Sequence, residues 1–473
     1  MIVALVFIAT LGLASLGNPL LTVLPTLGVG FFYALLKLPM RIPALTIVFL
    51  ALVLESPADN GPWKSPLYSV GELFLGQIKK IVKIDALVIT GVDTLLVLLL
   101  LIYAYRRMRG LMVDTQRIVA TPRALVMATL AAIGIILFAW AYGIGTGGEF
   151  RWSQWQVNQM MHLPFMIFVF AALLPGPDCA RSLGVLVVAA AVIKSCVALG
   201  VKQVYPMADF MTSHQDSVTF ALGLCHLWIH VLENPNKKTI AALAGLGPLI
   251  LMAMVVNDRR LVWVQLAYSL LFTLYASRWS WIKFRLIRAV LVAIPVGVIY
   301  LAAGWGTSGT GVFAPVGTVK SMIDSKEDAS TKWRDLENFN LYVTLTTNPA
   351  VGIGLGKPFI QAVALPDVTS MYELEPYVPH NSLLGLWAYT GYVGFSTWWM
   401  TLVVAAFIAM SGYYAARAPP SDRITALTAI CAMIIYMVHV YGDIGLSVTP
   451  GLFVVASCVV VAAKTAVANG GYR

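Results

Sequence analysis

The chain reads as a succession of apolar runs separated by short polar breaks. There are about fourteen, at 1–16, 20–36, 42–54, 86–103, 123–142, 160–174, 183–199, 216–232, 240–256, 261–277, 289–304, 382–411, 424–441 and 448–466. A bilayer core about 30 Å thick is crossed by about 20 apolar residues in a helix, and by fewer where neighbours and interface residues help. Turn residues stand where a crossing chain must reverse, at Gly17-Asn18-Pro19, Pro175-Gly176-Pro177 and Glu233-Asn234-Pro235-Asn236. The pattern predicts an all-α, polytopic membrane helical bundle of about 12–14 transmembrane helices with one large outer loop at 305–380. That loop carries stretches expected to form short amphipathic helices. A smaller outer segment covers about 55–85, with Trp63, Tyr68, Phe74, Lys79, Lys80 and Lys83 as candidate interface contacts. The first run starts at Met1 with no basic n-region or small-residue cleavage site and is expected to be retained as a span. No internal repeat, low-complexity tract or inverted pair of interrupted helices is present in the pattern.

Composition sharpens this. Of 473 residues, 59% are hydrophobic and only 11% charged, with a mean hydropathy of +0.81, whereas a soluble domain carries roughly 25% charged residues. Soluble dehydrogenase, nuclease and DNA-binding classes are excluded. The net charge of +10 would suit nucleic acid if it formed one basic patch, but it sorts by face. Alternating the spans from an inside N-terminus puts 18 bases and four acids on one side, against 13 bases and 17 acids on the other. That is the positive-inside distribution, with the basic face cytoplasmic, and it calls for no nucleic-acid partner. The five cysteines, Cys179, Cys196, Cys225, Cys431 and Cys458, lie in or beside apolar runs with no CxxC spacing, so neither a disulfide framework nor a thiolate metal set follows.

Candidate chemistry collects at the outer ends of the spans. Asn257-Asp258-Arg259-Arg260 places two arginines in a tight outer turn, where charge is costly near hydrocarbon. Either both snorkel to headgroups, or they form an anion clamp, since guanidinium forks suit phosphate oxygens. Leu336, Phe339 and Val343, with Leu341 and Leu345 alongside, predict a surface helix lying on the membrane and carrying Arg334. The glycine run Gly352-Ile353-Gly354-Leu355-Gly356 that follows is a turn or a phosphate cradle. Pro379-His380-Asn381-Ser382 opens the next long span, so His380 falls at a helix N-terminus. There the dipole favours a neutral imidazole able to take a proton from an alcohol; the plain alternative is a capping histidine. His214 and Asp216 either line a substrate mouth or cap a helix, and Asp443 either orients a site or forms an Asx-turn. His226 and His230 share a face at i,i+4, as metal ligands or as a packed pair. Asp93 and Lys194 are intramembrane charges that could pair with each other.

Order and spacing join these features. Arg260 followed by Trp263 at the start of an outer-facing span, Arg334 ahead of Asn348-Pro349-Ala350-Val351-Gly352, and then His380-Asn381-Ser382-x-Leu384 resemble the bacterial O-antigen ligase/polymerase superfamily. The resemblance covers about residues 240–445. It divides the chain into N-terminal transmembrane helices at 1–239 and an O-antigen ligase-related catalytic region at 240–473 that includes the periplasmic loop 305–380. Where the family shows Ser-Arg before small residues, this chain has Asp258-Arg259-Arg260-Leu261-Val262, and the spacing to Trp263 selects Arg260. The resemblance implies metal-independent, inverting glycosyl transfer on the periplasmic side of the inner membrane, without a cofactor. The donor would be an undecaprenyl-diphosphate-linked glycan and the acceptor a lipid A-core or lipid-linked glycan, with a protein-glycosylating relative as a third possibility. In that role His380 takes the acceptor proton, Arg260 and Arg334 hold the diphosphate with Arg259 beside them, and His214, Asp216, Asp443 and Asn381 support the site or its acceptor side. A lipid-linked glycan transporter or flippase, in which the arginines bind phosphate and His380 has no chemical task, is the alternative from another class.

Overall fold

The computed structural model describes residues 30–55, 67–77, 89–111, 119–207, 211–306, 313, 316–317, 320, 329–366 and 374–472. The described residues are helical, with two isolated antiparallel bridges and no strand. In chain order the helices are α1 (Arg41–Val53), α2 (Tyr68–Leu75), α3 (Gly91–Met108), α4 (Arg123–Gly145), α5 (Phe150–Leu173), α6 (Ala180–Val204) and α7 (Asp216–Glu233). They continue with α8 (Lys237–Val256), α9 (Arg260–Ala276), α10 (Trp281–Gly304), α11 (Ala329–Thr347), α12 (Ser382–Tyr414), α13 (Pro420–Gly442) and α14 (Thr449–Ala468). The chain is an all-α polytopic membrane bundle.

Every apolar run from 42–54 onward coincides with a helix, while run 1–16 and most of 20–36 lie outside the described residues. By length and hydropathy, eight described helices can each cross a membrane, or nine if Gly30–Lys37 and α1, bent by 118°, count as one span. That count covers the described residues only, and further apolar helices among them fall short of the length or hydropathy test for physical reasons. Helix α9 has 17 residues and α1 has 13, and α3 carries Asp93, Arg106 and Arg107 within its 18 residues. Such segments depend on neighbouring helices as well as on their own apolarity.

Helices α13 and α14 form the centre. Helix α14 is apolar on all sides and almost wholly buried, as a helix without a polar face must be in a bundle core. It packs against α13, α12 and α5, and α13 packs in turn on α7 and α9. Small residues allow close approach: a side chain at Gly412 would strike Ala466, and one at Gly223 would strike Ala191.

The helix directions sort the polar groups onto two ends. One end collects buried cations on helix C-terminal carbonyls, where the macrodipole favours them. Lys464 donates to Ala171 (2.8 Å) and Leu174 (2.6 Å), and Arg106, fully buried, donates to Leu38 (2.7 Å). There too Arg423 meets the buried Glu233 at 2.7 Å, and Tyr413 donates to the same carboxylate. The other end gathers the starts of α7, α9 and α12 with the finish of α13, and it holds the residues singled out for chemistry.

Candidate functional site

A break in α12 builds the scaffold of this end. Gly391 has φ 65° and ψ −174°, which unpairs the backbone around it. The segment after α11 supplies the missing partners. The N–H groups of Ile353 and Gly354 donate to Ala388 (3.1 Å) and Tyr389 (3.0 Å), while Pro349 and Ala350 accept from Tyr392 (2.8 Å) and Val393 (3.1 Å). The glycine run is therefore a backbone joint. It cannot be a phosphate cradle, because its donors are already used: Gly352 on Asn348, Leu355 on Ala139 and Gly356 on Gln156. Gly354, at φ +81°, lies so close to the backbone of Gly143 in α4 that a side chain would meet its nitrogen at 2.8 Å.

Helix α11 docks on α12 and on the chain before it: Leu341 packs with Ala388, Glu337 meets His380, and Asn340 and Thr344 bond the backbone of Val363 and Ile360, all four side chains being buried. These positions recur at helical spacing, so the face against the protein is mostly polar. Phe339 and Tyr342 point away. The surface helix expected from Leu336, Phe339 and Val343 exists, but its register follows the polar stripe.

That stripe sets His380. Glu337 accepts from the His380 backbone N–H at 3.0 and 3.1 Å and faces ring Nδ1 at 3.4 Å. Its side chain is 1% exposed, against 25% for the imidazole. Trp333, one turn before Glu337, meets the ring edge-on at 4.7 Å. A carboxylate facing Nδ1 favours the tautomer with its proton there. Asn381 caps α12 by accepting from Leu384 (3.1 Å) and donates to Asn338 of α11 (3.0 Å). It is a latch between the two helices.

The second half of the site comes from the other three helix ends. Asp258 adopts φ +45°, a left-handed conformation that aspartate tolerates, and this makes the tight turn before α9. Arg259 Nη1 then lies 2.6 Å from His214 Nε2. Arginine only donates, so Nε2 accepts, and the His214 proton sits on Nδ1, 3.5 Å from Asp443 Oδ2. Asn257 holds the strand of chain before His214 by accepting from Met211 (3.0 Å) and Thr212 (2.8 Å). Burial pushes the Asp443 carboxyl up, but His214, His439 and Arg334 outweigh it and hold it below the usual carboxylate range. The influence of Arg334 ties the two halves together, as do the Asn381–Ile444 bridge and the Ser382 hydroxyl on the Asp443 carbonyl.

The structure thus assembles His380, Arg334, Asp443, His214 and Arg259 at one end of the bundle, with Asn381 bracing it. Arg260 begins α9 beside Arg259 and is exposed. Asp216 is turned away from the others: it is 1% exposed and paired with Lys194 at 2.9 Å, with Glu55 also 3.8 Å from that ammonium. The Asp93–Lys194 pair does not form, because Asp93 instead caps α3 with Thr90 and faces His162 at 3.3 Å. His226 and His230 meet edge-to-face at 4.7 Å, and no group of three metal-ligating side chains occurs among the described residues. Trp63, Lys79, Lys80 and Lys83 lie outside the described residues, while Tyr68 is buried in α2 and Phe74 packs against the core.

Glu337 was not singled out by the sequence. Its signal was a carboxylate three residues after Arg334 on the stripe shared with Asn340 and Thr344, which becomes visible only once the buried face of α11 is known. No family model and no curated protein matches this chain.

Proposed function

We propose that this chain is a glycosyltransferase of the O-antigen ligase/polymerase type. In this reading it moves a glycan from undecaprenyl diphosphate to an acceptor hydroxyl, lipid A-core or another lipid-linked glycan, at the periplasmic face of the bacterial inner membrane. The observation that carries the reading is the histidine–carboxylate pair of His380 and Glu337 set one turn from Arg334. A base for the acceptor proton and a cation for the departing diphosphate are the two groups that such a displacement uses.

The acceptor hydroxyl gives its proton to His380 Nε2 while its oxygen bonds to the anomeric carbon. The bond from that carbon to the diphosphate oxygen breaks on the opposite side, which inverts the centre. Negative charge builds on the departing diphosphate, and the cations Arg334 and Arg260, with Arg259, stabilise it. Asp443 and His214 keep Arg334 and Arg259 in place through opposite charge and hydrogen bonding. The basic excess at the other end of the bundle supports a periplasmic placement of this site.

The test is transfer from a synthetic lipid-linked glycan by the purified full chain. His380→Ala should lower turnover by about 10²- to 10⁴-fold with donor binding retained, and Arg334→Ala or Arg260→Ala should weaken both. A His380→Ala protein that binds donor and transfers it at the normal rate would favour the transporter reading and eliminate this one.

A further inference from the structure

A cleft of about 680 Å³ opens between α6, α7, α8 and α13, in the range that ordinarily holds a small-molecule ligand, about 300–1,000 Å³. It belongs to the opposite end of the bundle from His380, and nothing in the proposed transfer reaction uses it. Its lining changes character with depth. Arg181, at the start of α6, and Lys238, at the start of α8, stand at the mouth with Asn234 and Ser421. Next come His230 and His226, four and eight residues before Asn234 on α7, which places them about 6 and 12 Å further in at about 1.5 Å per residue. Apolar walls from Val188, Val192 and Leu246 flank the histidines and continue inward.

His226 is the informative member. It is 6% exposed and its Nδ1 lies 2.8 Å from the Thr428 hydroxyl, whereas Nε2 has no partner among the described residues. Gly184 lies against the ring, where a side chain would strike it. With the threonine hydroxyl donating to Nδ1, Nε2 carries a proton aimed into the cleft. His226 lines the cleft, so an acceptor on a ligand at that depth would meet this donor.

We propose that this cleft binds one anionic glycerophospholipid, its phosphate between Arg181 and Lys238, an ester carbonyl on His226 and an acyl chain along the apolar walls. Charge at the mouth, a hydrogen-bond donor one to two turns in and hydrocarbon beyond repeat the order of groups along such a lipid. A polyprenyl phosphate has the charge and the hydrocarbon but no acceptor below its phosphate, and a diacylglycerol has the carbonyls without the charge.

The experiment is native mass spectrometry of the purified full chain in mild detergent with phosphatidylglycerol. Its ether-linked analogue, a diacylglycerol and a polyprenyl phosphate serve as comparisons. One phosphatidylglycerol should bind per chain, more tightly than each of the three. The exposed pair Arg181→Gln/Lys238→Gln should weaken it by about tenfold or more, and Ala242→Trp should exclude it by filling the cleft. Equal binding of the diacylglycerol, the ether analogue or the polyprenyl phosphate overturns the assignment, and so does a phosphatidylglycerol adduct unchanged in the Arg181→Gln/Lys238→Gln protein. That double variant alters only surface charge, so it decides the question even if Ala242→Trp fails to fold.

Discussion

Replacing Glu337 with glutamine isolates the orienting role of one carboxylate. The side chain keeps its size and one acceptor oxygen but loses its charge, and an amide group is set against the His380 N–H and ring Nδ1 that the carboxylate now receives at 3.0, 3.1 and 3.4 Å. A hydrogen bond to a charged group is worth about 1.5–3 kcal/mol. At about 1.36 kcal/mol per tenfold in rate, that corresponds to roughly a 10- to 150-fold fall in turnover, if the imidazole works only when its Nδ1 proton is held. The effect should appear in kcat, because Glu337 is 1% exposed and in the proposed transfer would act through His380 without touching the donor. Steady-state kinetics with varied lipid-linked glycan separates kcat from KM, and a melting curve in detergent checks that the fold survives. Glu337→Asp, which restores the charge, should recover part of the rate. Turnover unchanged in Glu337→Gln, or a loss confined to KM, would refute the reasoning.

Three further outcomes follow from the same geometry. Lys194→Met leaves the buried Asp216 carboxylate without its 2.9 Å partner and should cost about 3–5 kcal/mol, most of it recovered in Lys194→Met/Asp216→Asn; equal melting temperatures for single and double variants would count against the pair. Gly354→Ala forces a side chain into a φ of +81° against Gly143 and should destabilise by about 1–3 kcal/mol, seen as a lowered melting temperature together with reduced transfer, since the joint sets the start of α12. The Asp443 carboxyl titrates below its ordinary value, so its contribution to stability is complete above about pH 4 and is lost as the pH falls through the depressed folded value. Melting temperatures followed downward from pH 6 should therefore drop less steeply in Asp443→Asn than in the parent protein, and parallel curves would remove Asp443 from the network.

The amino-acid sequence by itself determined the class of fold. Apolar runs longer than a soluble core needs, with few charges between them, have one stable solution in a bilayer, and each described run became a helix because every backbone group must be paired inside its own segment. It also marked His380, Arg334 and the arginine turn at Arg259 and Arg260, since charge and imidazole stand out where hydrocarbon is the background. The tertiary structure decided how these residues meet. The stripe of α11 that is buried is the polar one, so Glu337 passed for an ordinary surface acid until α12 was seen against it. The glycine run is a joint because α12 breaks at Gly391, a break invisible in a run that is uncharged throughout 382–411. Lys194 found Asp216 and Asp93 found Thr90 and His162 because, in a medium of low dielectric, a charge takes the partner that packing brings within about 4 Å, and packing is a property of the whole bundle. Local pattern sets which segments are helices and which residues carry candidate chemistry; contacts between segments distant in sequence, from 22 residues for Lys194 and Asp216 to 45 for His214 and Arg259, set which of them meet.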